Sequence, residues 1–577
     1  KSPVDTLIKH KYLKSIKIAS DENCLFLDDE YFPSQPKSLN KYQQESFDKI
    51  SQDIEKEKFS THLIYGVTGS GKTEVYMQAI QKALDMGKSA IMLVPEIALT
   101  SQTIERFKAR FQNRLAILHS KRSQGEKNKA WQEVFDDEAK IIIGARSAIF
   151  APVKNLGIVI VDEEHDSSYK QSEEMPTYNA KHIAVMRGQK HHCPIVLASA
   201  TPSIESYHKA LNKKYLLSIL PNRATSSSLP KVHIIDMKEE LQKMKCFSHF
   251  SQKLLDGIKK RYLLGEQTIL FLNKRGYHRF LICKKCANKL KCPHCDISLI
   301  FHKKESALSC HSCGYTIAPP KTCPACGNNE YMQYQGFGTE HVEASLKAIF
   351  PDIRTLRIDA DTTKNKNSHE MLLKQFRSGK ADVLIGTQMV VKGLHFPSVS
   401  LVGVLNTDGA LNIPDFRSSE NVFSLITQVA GRAGREEIEG EVIIQTFHPD
   451  NSTIKLAATQ DYETFYETEN ESRELFDYPP HSGMIKIVFS GKEEKPTENL
   501  LEEFKKLILE KISHEYKVHP VMACGRHKTK DYFRFQFIIR GKQIFPLSRL
   551  LKTILKTFKK PSTLKVLIDV DPLNTFF

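Results

Sequence analysis

An eight-residue loop, G-V-T-G-S-G-K-T at positions 66–73, limits what this chain can fold into more than any other feature. The apolar run 62–65 precedes it and the helix-like run 74–80 follows it, which predicts a strand, a tight loop and a helix in succession. Backbone N–H groups in such a loop surround phosphate oxygens, and the helix N-terminus adds its positive end. The predicted nucleotide-binding residues are Gly66, Val67, Thr68, Gly69, Ser70, Gly71, Lys72 and Thr73.

A second block, D-E-E-H at 162–165, ends the apolar run 156–161. Lys72 is expected to reach the β- and γ-phosphates, while the Thr73 hydroxyl and the Asp162 carboxylate hold Mg²⁺. Glu163 is expected to orient or deprotonate the attacking water. Glu164 and His165 complete this DEAH-type block and the predicted nucleotide-binding set. Together the two blocks predict hydrolysis of a nucleoside triphosphate, namely ATP.

The balance of charge points to a polyanionic partner. Lys and Arg number 83 against 67 Asp and Glu in 577 residues, a net charge of +16, which suggests nucleic acid. A generally lysine-rich composition is the alternative. No apolar run approaches the ~20 residues that span a bilayer, and no secretory signal is recognisable. The sequence therefore predicts a cytoplasmic protein, in which clustered cysteines usually bind metal.

Eight of the twelve cysteines form four C-x-x-C pairs: Cys283/Cys286, Cys292/Cys295, Cys310/Cys313 and Cys323/Cys326. Two such pairs complete a tetrahedral Zn²⁺ site, so four pairs predict two closed structural sites. Spacing leaves open which pairs share an ion, and an iron–sulfur cluster or a redox switch is the alternative. The isolated cysteines are expected to be ordinary thiols, and the nearby histidines to be non-ligands: Cys24, Cys193, Cys246, Cys524, His294, His302 and His311.

Short apolar runs alternate with amphipathic stretches over most of the chain, which predicts an α/β protein with parallel sheets. We expect two α/β lobes, a two-zinc cysteine-rich module inserted in the second, and an α+β C-terminal domain. The predicted boundaries are a short N-terminal segment at 1–37, lobe 1 at 38–218, lobe 2 at 219–281 and 328–457, the cysteine-rich module at 282–327, and the C-terminal domain at 458–577.

The block Q-V-A-G-R-A-G-R at 428–435 places two arginines on helical spacing. Gln428, Arg432 and Arg435 are predicted catalytic residues, because guanidinium groups from a second lobe can stabilise charge on the γ-phosphate. Arginines paired with carboxylates on an exposed helix are the alternative.

Four residues are candidates for coupling nucleic acid to hydrolysis. Tyr169, Lys170 and Tyr178 follow the D-E-E-H block in an aromatic loop, and Lys392 lies in G-T-Q-M-V-V-K-G at 386–393. Aromatic rings can stack on bases and report strand occupancy to Glu163. A surface loop that packs its tyrosines locally is the alternative.

Together these motifs resemble the superfamily 2 DNA helicases, and specifically the replication-restart helicases of the PriA (primosomal protein N-prime) family. The likeness runs from about Leu39 to the C-terminus. It rests on G-V-T-G-S-G-K-T-E-V-Y, V-P-E-I-A-L-T, D-E-E-H-D-S-S-Y-K-Q, A-S-A-T-P-S, the eight cysteines and Q-V-A-G-R-A-G-R.

The resemblance implies two RecA-like P-loop lobes and an ATP-driven 3′→5′ DNA helicase that uses Mg²⁺ and two Zn²⁺. Such an enzyme recognises stalled or collapsed replication forks and initiates primosome assembly. The implied partners are forked and single-stranded DNA, primosome and helicase-loading proteins, and single-stranded DNA-binding protein. The protein is then expected to be a monomer at the bacterial nucleoid. The resemblance also implies nested zinc pairing: Cys283, Cys286, Cys323 and Cys326 on one ion, and Cys292, Cys295, Cys310 and Cys313 on the other.

Two departures from the family pattern shape further expectations. Only 38 residues precede Leu39, so the segment 1–37 is expected to be a remnant of the family's N-terminal DNA-binding region. Leu394 and His395 stand in K-G-L-H-F-P where the family has K-G-H-[DH]-F-P, which is expected to alter an ATP–DNA coupling contact. A fork-binding scaffold and a double-stranded DNA translocase, both with dispensable unwinding, are the competing functions.

Overall fold

We describe a computed structural model of the chain. It describes residues 34–576 apart from 96–100, 112–113, 119–121, 225–229, 245–247, 273–279, 284, 287, 289, 291–292, 294–298, 303–306, 310–314, 329–330, 335–337, 360–361, 363–367, 388–395, 435–438 and 530.

The first α/β lobe contains a seven-stranded parallel sheet, counted over the described residues. The strands of the lobe, including two outside this sheet, are in chain order β1 (Thr61–Gly66), β2 (Ser89–Leu93), β3 (Leu115–Leu118), β4 (Ile141–Gly144), β5 (Leu156–Asp162), β6 (Lys170–Gln171), β7 (Tyr178–Asn179), β8 (Ile195–Ser199) and β9 (Leu216–Leu220). The spatial order is β3-β4-β2-β5-β8-β1-β9, while β6 and β7 form a separate ribbon. The flanking helices are α1 (Lys41–Glu55), α2 (Lys72–Asp85), α3 (Ser101–Phe111), α4 (Gln124–Phe135), α5 (Ala180–His191) and α6 (Ile204–Leu211).

Burial on both faces explains why these strands read as continuous apolar runs. In β5 the residues Leu156–Val161 are all buried, and alternate side chains join two different core clusters. Parallel strands covered by helices on both sides need this pattern. Because β5, β8 and β1 are neighbours, their carboxyl ends lie together at one edge of the sheet, where ligands of such sheets bind.

The second lobe contains a six-stranded parallel sheet among the described residues, in the order β10-β20-β19-β11-β18-β17. The strands of this part of the chain are β10 (Lys231–Asp236), β11 (Gln267–Leu272), β12 (Phe280–Cys283), β13 (Ile300–His302), β14 (Ala307–Ser309), β15 (Thr316–Ile317), β16 (Tyr331–Tyr334), β17 (Thr355–Ile358), β18 (Val383–Gly386), β19 (Val399–Leu405) and β20 (Glu441–Thr446). Strands β12 to β16 form two small antiparallel sheets between β11 and β17, so the cysteine-rich module interrupts the lobe.

Helices cover the second sheet and continue beyond it. They are α7 (Met237–Met244), α8 (Gln252–Leu264), α9 (Thr339–Ile349), α10 (Ser368–Arg377), α11 (Asp408–Leu411), α12 (Ser418–Ala430), α13 (Ser452–Thr459) and α14 (Tyr462–Leu475). One apolar core runs from the first lobe into the second and includes α14. At its centre Tyr207 of lobe 1 packs edge-on against Tyr462, with ring centroids 5.0 Å apart.

The C-terminal domain is a twisted antiparallel sheet with two helices on its core. Its elements are β21 (Gly483–Gly491), α15 (Glu494–Leu509), β22 (Lys517–Val518), β23 (Met522–Thr529), β24 (Tyr532–Gly541), α16 (Ile544–Thr557) and β25 (Lys565–Val570). Phe535 and Phe537, two residues apart on β24, lie on the same face of this strand and are buried in this core. The fold class predicted from the sequence, two parallel α/β lobes with an inserted module and an α+β C-terminal domain, is confirmed.

Candidate functional site

The glycine-rich loop connects β1 to α2, as predicted. Gly69 and Gly71 have φ of +84° and +79°, a left-handed conformation that favours glycine, and Gly71 is the N-cap of α2. The Lys72 Nζ donates to the carbonyl oxygens of Gly66 (2.6 Å) and Val67 (3.3 Å), so its side chain lies over the loop. Burial lowers the pKa of Lys72, and the carboxylates of Glu163 and Asp162 oppose that shift.

Asp162 and Glu163 lie beside this loop at the end of β5. Burial and the negative charge of Glu163 raise the pKa of Asp162 to about 7, against the opposing effect of Lys72. Glu163 has a φ of +47°, and its Oε2 atom is buried without a hydrogen-bond partner in the described part of the chain. Two half-buried carboxylates beside one lysine leave negative charge to be neutralised. Carboxylate and hydroxyl oxygens are also the ligands that Mg²⁺ prefers, so Asp162 and Thr73 fit this ion.

Glu164 is placed differently from the prediction. Its Oε2 pairs with the Lys181 Nζ at 2.6 Å and accepts from Ser206 Oγ, while its Oε1 accepts from the Ser203 backbone N–H at 2.6 Å. Burial raises the pKa of Glu164, but Lys181 outweighs burial and holds it below the usual range. Both carboxylate oxygens are occupied, so Glu164 connects the D-E-E-H block to the segment after β8 rather than facing a nucleotide.

His165 joins the two lobes. Its Nδ1 lies 2.7 Å from Ser199 Oγ, and its Nε2 lies 2.5 Å from the Nε2 of Gln428 on α12. Next to this contact, Thr201 Oγ1 bonds Ser424 Oγ at 2.8 Å. The predicted catalytic Gln428 is therefore held against the D-E-E-H block by direct contact between lobes.

The second lobe also reaches the glycine-rich loop. Gly431, which ends α12, packs so closely on Thr68 that an added Cβ would lie 2.6 Å from Thr68 Cγ2. The half-buried Arg432 is the next residue, and Arg435 lies outside the described residues. Arg223, in the connection between the lobes, donates to the Gly434 carbonyl at 3.2 Å. Residues 428–434 of the second lobe and the phosphate loop of the first therefore lie against each other at one cleft.

The structure contradicts the DNA-contact prediction for Tyr169. This side chain is 1% exposed, and its hydroxyl donates to the carbonyl oxygens of Asp162 (2.5 Å) and Leu93 (3.0 Å). Aromatic residues in a polar loop do not reveal their burial, which here comes from packing against the sheet edge. Tyr169 thus supports the backbone of Asp162 and cannot stack on a base in this conformation.

Lys170 is also buried, contrary to the prediction of a DNA contact. Its side chain is 3% exposed and pairs with the Asp569 carboxylate at 2.7 Å, where the Asp569 side chain is 1% exposed. The same Nζ donates to the Val570 carbonyl, and Thr177 Oγ1 donates to the Ile568 carbonyl at 2.9 Å. The aromatic loop is therefore attached to β25 of the C-terminal domain.

Tyr178 is partly exposed. Its ring packs edge-on against Phe150 at 5.2 Å and lies 5.7 Å below the Arg146 guanidinium. Its surface position leaves the DNA-coupling prediction for Tyr178 open. Lys392 lies outside the described residues, as do Leu394 and His395.

Four cysteines of the predicted outer zinc set come together. The Sγ atoms of Cys283, Cys286, Cys323 and Cys326 all lie within 4.8 Å of one another. The Cys283–Cys326 and Cys286–Cys323 sulfur pairs are 3.5 Å and 3.7 Å apart. Sulfurs 2.3 Å from one tetrahedral zinc stand about 3.8 Å apart, so this cluster fits Zn²⁺. The inner four, Cys292, Cys295, Cys310 and Cys313, lie outside the described residues, as do Cys24, Cys246, His294 and His311.

Three residues beside the site were not found by sequence reasoning. Gln43 donates through Nε2 to the Ser70 carbonyl at 2.8 Å, and Lys181 holds Glu164. The only local signal for Gln43 is the capping box that it forms with Asn40 at the start of α1. The Tyr76 hydroxyl lies 3.2 Å from Thr73 Oγ1, and nothing in its helical sequence marks it as polar.

Known families match most of the chain. The DEAD/DEAH box helicase family matches residues 40–210, and the helicase conserved C-terminal domain matches 333–437. The PriA DNA helicase Cys-rich region matches 292–317, and the primosomal protein N C-terminal domain matches 474–573. Among the described residues, no helix is long and apolar enough to span a bilayer.

Three relatives are named replication restart protein PriA. The Chlamydia pneumoniae protein is 48% identical over 548 residues, covering 95% of this chain and 73% of that protein. The Chlamydia trachomatis serovar D protein is 46% identical, covering 100% of this chain and 76% of that protein. The Bacillus subtilis protein is 45% identical, covering 93% and 67%. With its two helicase lobes and its cysteine-rich module, the chain belongs to the PriA family of replication restart proteins and is an ATP-dependent DNA helicase.

Proposed function

We propose that the protein moves 3′→5′ along one strand of DNA, recognises stalled or collapsed replication forks, and initiates primosome assembly there. The observation that carries this proposal is the cleft in which Gln428 contacts His165 and Gly431 packs on Thr68. A cleft formed by both lobes can change shape when its nucleotide is hydrolysed, and such changes drive stepping.

Within this cleft we assign roles to the chain's own groups. The backbone of the loop at 66–73 and the Lys72 ammonium group hold the phosphates. Thr73 and Asp162 hold magnesium, and Glu163 orients the attacking water. The Glu163 Oε2, which lies 3.7 Å from His165 Nδ1 but makes no hydrogen bond among the described residues, supports the last assignment. When bound, magnesium neutralises charge on the β- and γ-phosphates. Gln428, Arg432 and Arg435 close on the γ-phosphate from the second lobe.

The zinc ligands, the domain boundaries and the partners are assigned as the sequence and its family resemblance imply. Cys283, Cys286, Cys323 and Cys326 hold one zinc, and Cys292, Cys295, Cys310 and Cys313 hold a second. The domain boundaries are those expected from the sequence, with the cysteine-rich module at 282–327 between two parts of lobe 2. Partners are forked and single-stranded DNA, helicase-loading proteins and single-stranded DNA-binding protein, with the enzyme acting as a monomer at the nucleoid.

The test compares ATPase activity and strand displacement on forks with and without a leading-strand 3′ end. Lys72→Ala and Arg435→Ala should abolish both activities. Lys82→Ala, near the other end of α2 and paired with Glu55 of α1, should leave them unchanged. Unwinding at the wild-type rate by Lys72→Ala would refute the mechanism. Triplex displacement without strand displacement would instead indicate a double-stranded DNA translocase, and fork binding with neither activity would indicate a scaffold.

A further inference from the structure

The buried tyrosine Tyr76 lies next to both groups that we assign to magnesium. It is 1% exposed and lies three residues after Thr73 in α2, so the two side chains share one face of the helix. Its ring packs in the apolar core under the first sheet. A phenylalanine would fill that space equally well, so the hydroxyl needs a separate explanation.

A buried phenol hydroxyl needs hydrogen-bond partners, and both partners of this one belong to the nucleotide cleft. The Tyr76 Oη lies 3.2 Å from Thr73 Oγ1. It also faces the Asp162 carboxylate, whose pKa its interaction lowers against the effect of burial. Either hydroxyl of the Tyr76–Thr73 pair can donate. When Asp162 is ionised its carboxylate only accepts, so directing the single Tyr76 proton at Asp162 lets the Tyr76 oxygen accept from the Thr73 hydroxyl. In that arrangement the oxygen lone pairs of Thr73 point away from Tyr76 and stay free for a cation.

A second tyrosine holds the same aspartate from its other side. The Tyr169 hydroxyl donates to the Asp162 backbone carbonyl, so one phenol fixes the main chain of Asp162 while a second, Tyr76, faces its side chain. Partners that orient a metal's ligands typically raise affinity for that metal without touching it. The Thr73–Tyr76–Asp162 arrangement has this form.

We propose that Tyr76 is a positioning residue for the magnesium that accompanies the nucleotide. Its hydroxyl holds the Thr73 and Asp162 oxygens, which come from α2 and β5, at a fixed separation before the ion arrives. This inference rests on the proposed role of Thr73 and Asp162 as the magnesium-holding groups.

The test uses the full chain with Tyr76→Phe, which removes only the hydroxyl. Binding of a fluorescent N-methylanthraniloyl-ADP is titrated in EDTA and then against buffered free Mg²⁺. We expect the nucleotide affinity of Tyr76→Phe in EDTA to stay within about twofold of wild type. The Mg²⁺ concentration that gives half of the maximal increase in nucleotide affinity should rise about tenfold. Tyr207→Phe, which removes the hydroxyl of a buried tyrosine elsewhere in lobe 1, should leave both values unchanged.

Thr73→Ala separates this inference from the proposed function. Thr73→Ala should itself raise the Mg²⁺ requirement, and adding Tyr76→Phe to it should cause little further change, since the shared partner is gone. If Thr73→Ala raises the Mg²⁺ concentration for half-maximal tightening and Tyr76→Phe does not, this inference is overturned while the magnesium assignment stands. If neither variant changes the Mg²⁺ concentration for half-maximal tightening, the assignment of magnesium to Thr73 and Asp162 is itself wrong. Equal loss of nucleotide affinity by Tyr76→Phe with and without Mg²⁺ would mean that it only supports the loop, which also overturns the inference.

Discussion

The side-chain nitrogen of Gln428 lies 2.5 Å from Nε2 of His165, joining the two lobes at the point where ATP is expected to be cleaved. The amide nitrogen of Gln428 can only donate, so the His165 Nε2 accepts and its Nδ1–H is left to donate to Ser199 Oγ. The same Ser199 Oγ accepts from the Thr201 backbone N–H. Three motifs from two lobes thus share one hydrogen-bonded chain. A change at the phosphates can reach the second lobe through it.

Removing this contact should impair hydrolysis more than binding. We expect Gln428→Ala to lower the DNA-stimulated turnover number about 10- to 100-fold, because the second lobe no longer aligns on the D-E-E-H block. Affinity for Mg-ADP, which lobe 1 provides, should change less than about threefold. Steady-state ATPase assays and fluorescent ADP titrations measure both. Gln132→Ala, on an exposed helix of lobe 1, is the matched control, and full turnover in Gln428→Ala would contradict the prediction.

The contact between Gly431 and Thr68 should not tolerate a methyl group. Gly431→Ala would place Cβ 2.6 Å from Thr68 Cγ2, so the lobes could not close fully. We expect about a tenfold loss of DNA-stimulated ATPase with unchanged folding. In Gly125→Ala, in the first turn of α4, the new Cβ meets nothing within 4 Å, so ATPase activity should stay at the wild-type level. Equal activity in the two variants would show that closure does not need this packing.

The buried Lys170–Asp569 pair should be sensitive to loss of one partner. Lys170→Met leaves the Asp569 carboxylate buried without its counter-ion, which typically costs about 3–5 kcal/mol. We expect the aromatic loop to leave β25, so that proteases cut between 171 and 177 well before they cut the wild type. Lys559→Met, at an exposed position of the C-terminal domain, should behave as wild type. Unchanged digestion kinetics in Lys170→Met would argue against the loop attachment.

Glu469 should make the protein less stable as pH rises. Burial and the Glu420 carboxylate raise the pKa of Glu469, and Arg473 only partly opposes them. A carboxyl whose folded pKa lies above its unfolded value of about 4.3 costs stability once the pH exceeds that value. Glu469→Gln should therefore raise the thermal midpoint by about 2 °C at pH 8 and not at pH 4. A variant that melts earlier at pH 8 would show that the 3.0 Å bond to Arg473 outweighs this cost.

The cysteine cluster predicts how much zinc the protein binds, and it predicts that the cysteine-rich module is needed for strand separation but not for ATP hydrolysis. Cys326→Ser should reduce bound zinc from about two ions per chain to about one, measured by plasma mass spectrometry on the purified protein. We expect loss of strand displacement with ATPase retained within about threefold, because the nucleotide cleft lies in other elements. Cys193→Ala, in the core of lobe 1, should keep the wild-type zinc content. Normal unwinding by the zinc-depleted variant would exclude the module from strand separation.

Features that depend on contiguous residues could be predicted from the sequence. Features that depend on contacts between residues far apart in the sequence could not. The glycine-rich loop, the D-E-E-H block and the apolar strands are local patterns, and both the fold class and the family are confirmed. Tyr169 and Lys170 were misplaced because their burial depends on Leu93 and on Asp569, which no local pattern connects to them. Glu164 was misassigned for the same reason, since Lys181 and Ser203 occupy its carboxylate.

The attachment of Lys170 to the final strand also has a consequence for synthesis. The Lys170 side chain bonds a backbone oxygen 400 residues further along the chain. At ribosomal speeds of about 5–20 residues per second, roughly 20–80 seconds separate the emergence of these two partners. A nascent chain can thus present a finished phosphate loop well before its aromatic loop is attached, so residues translated much later complete the enzyme's first lobe.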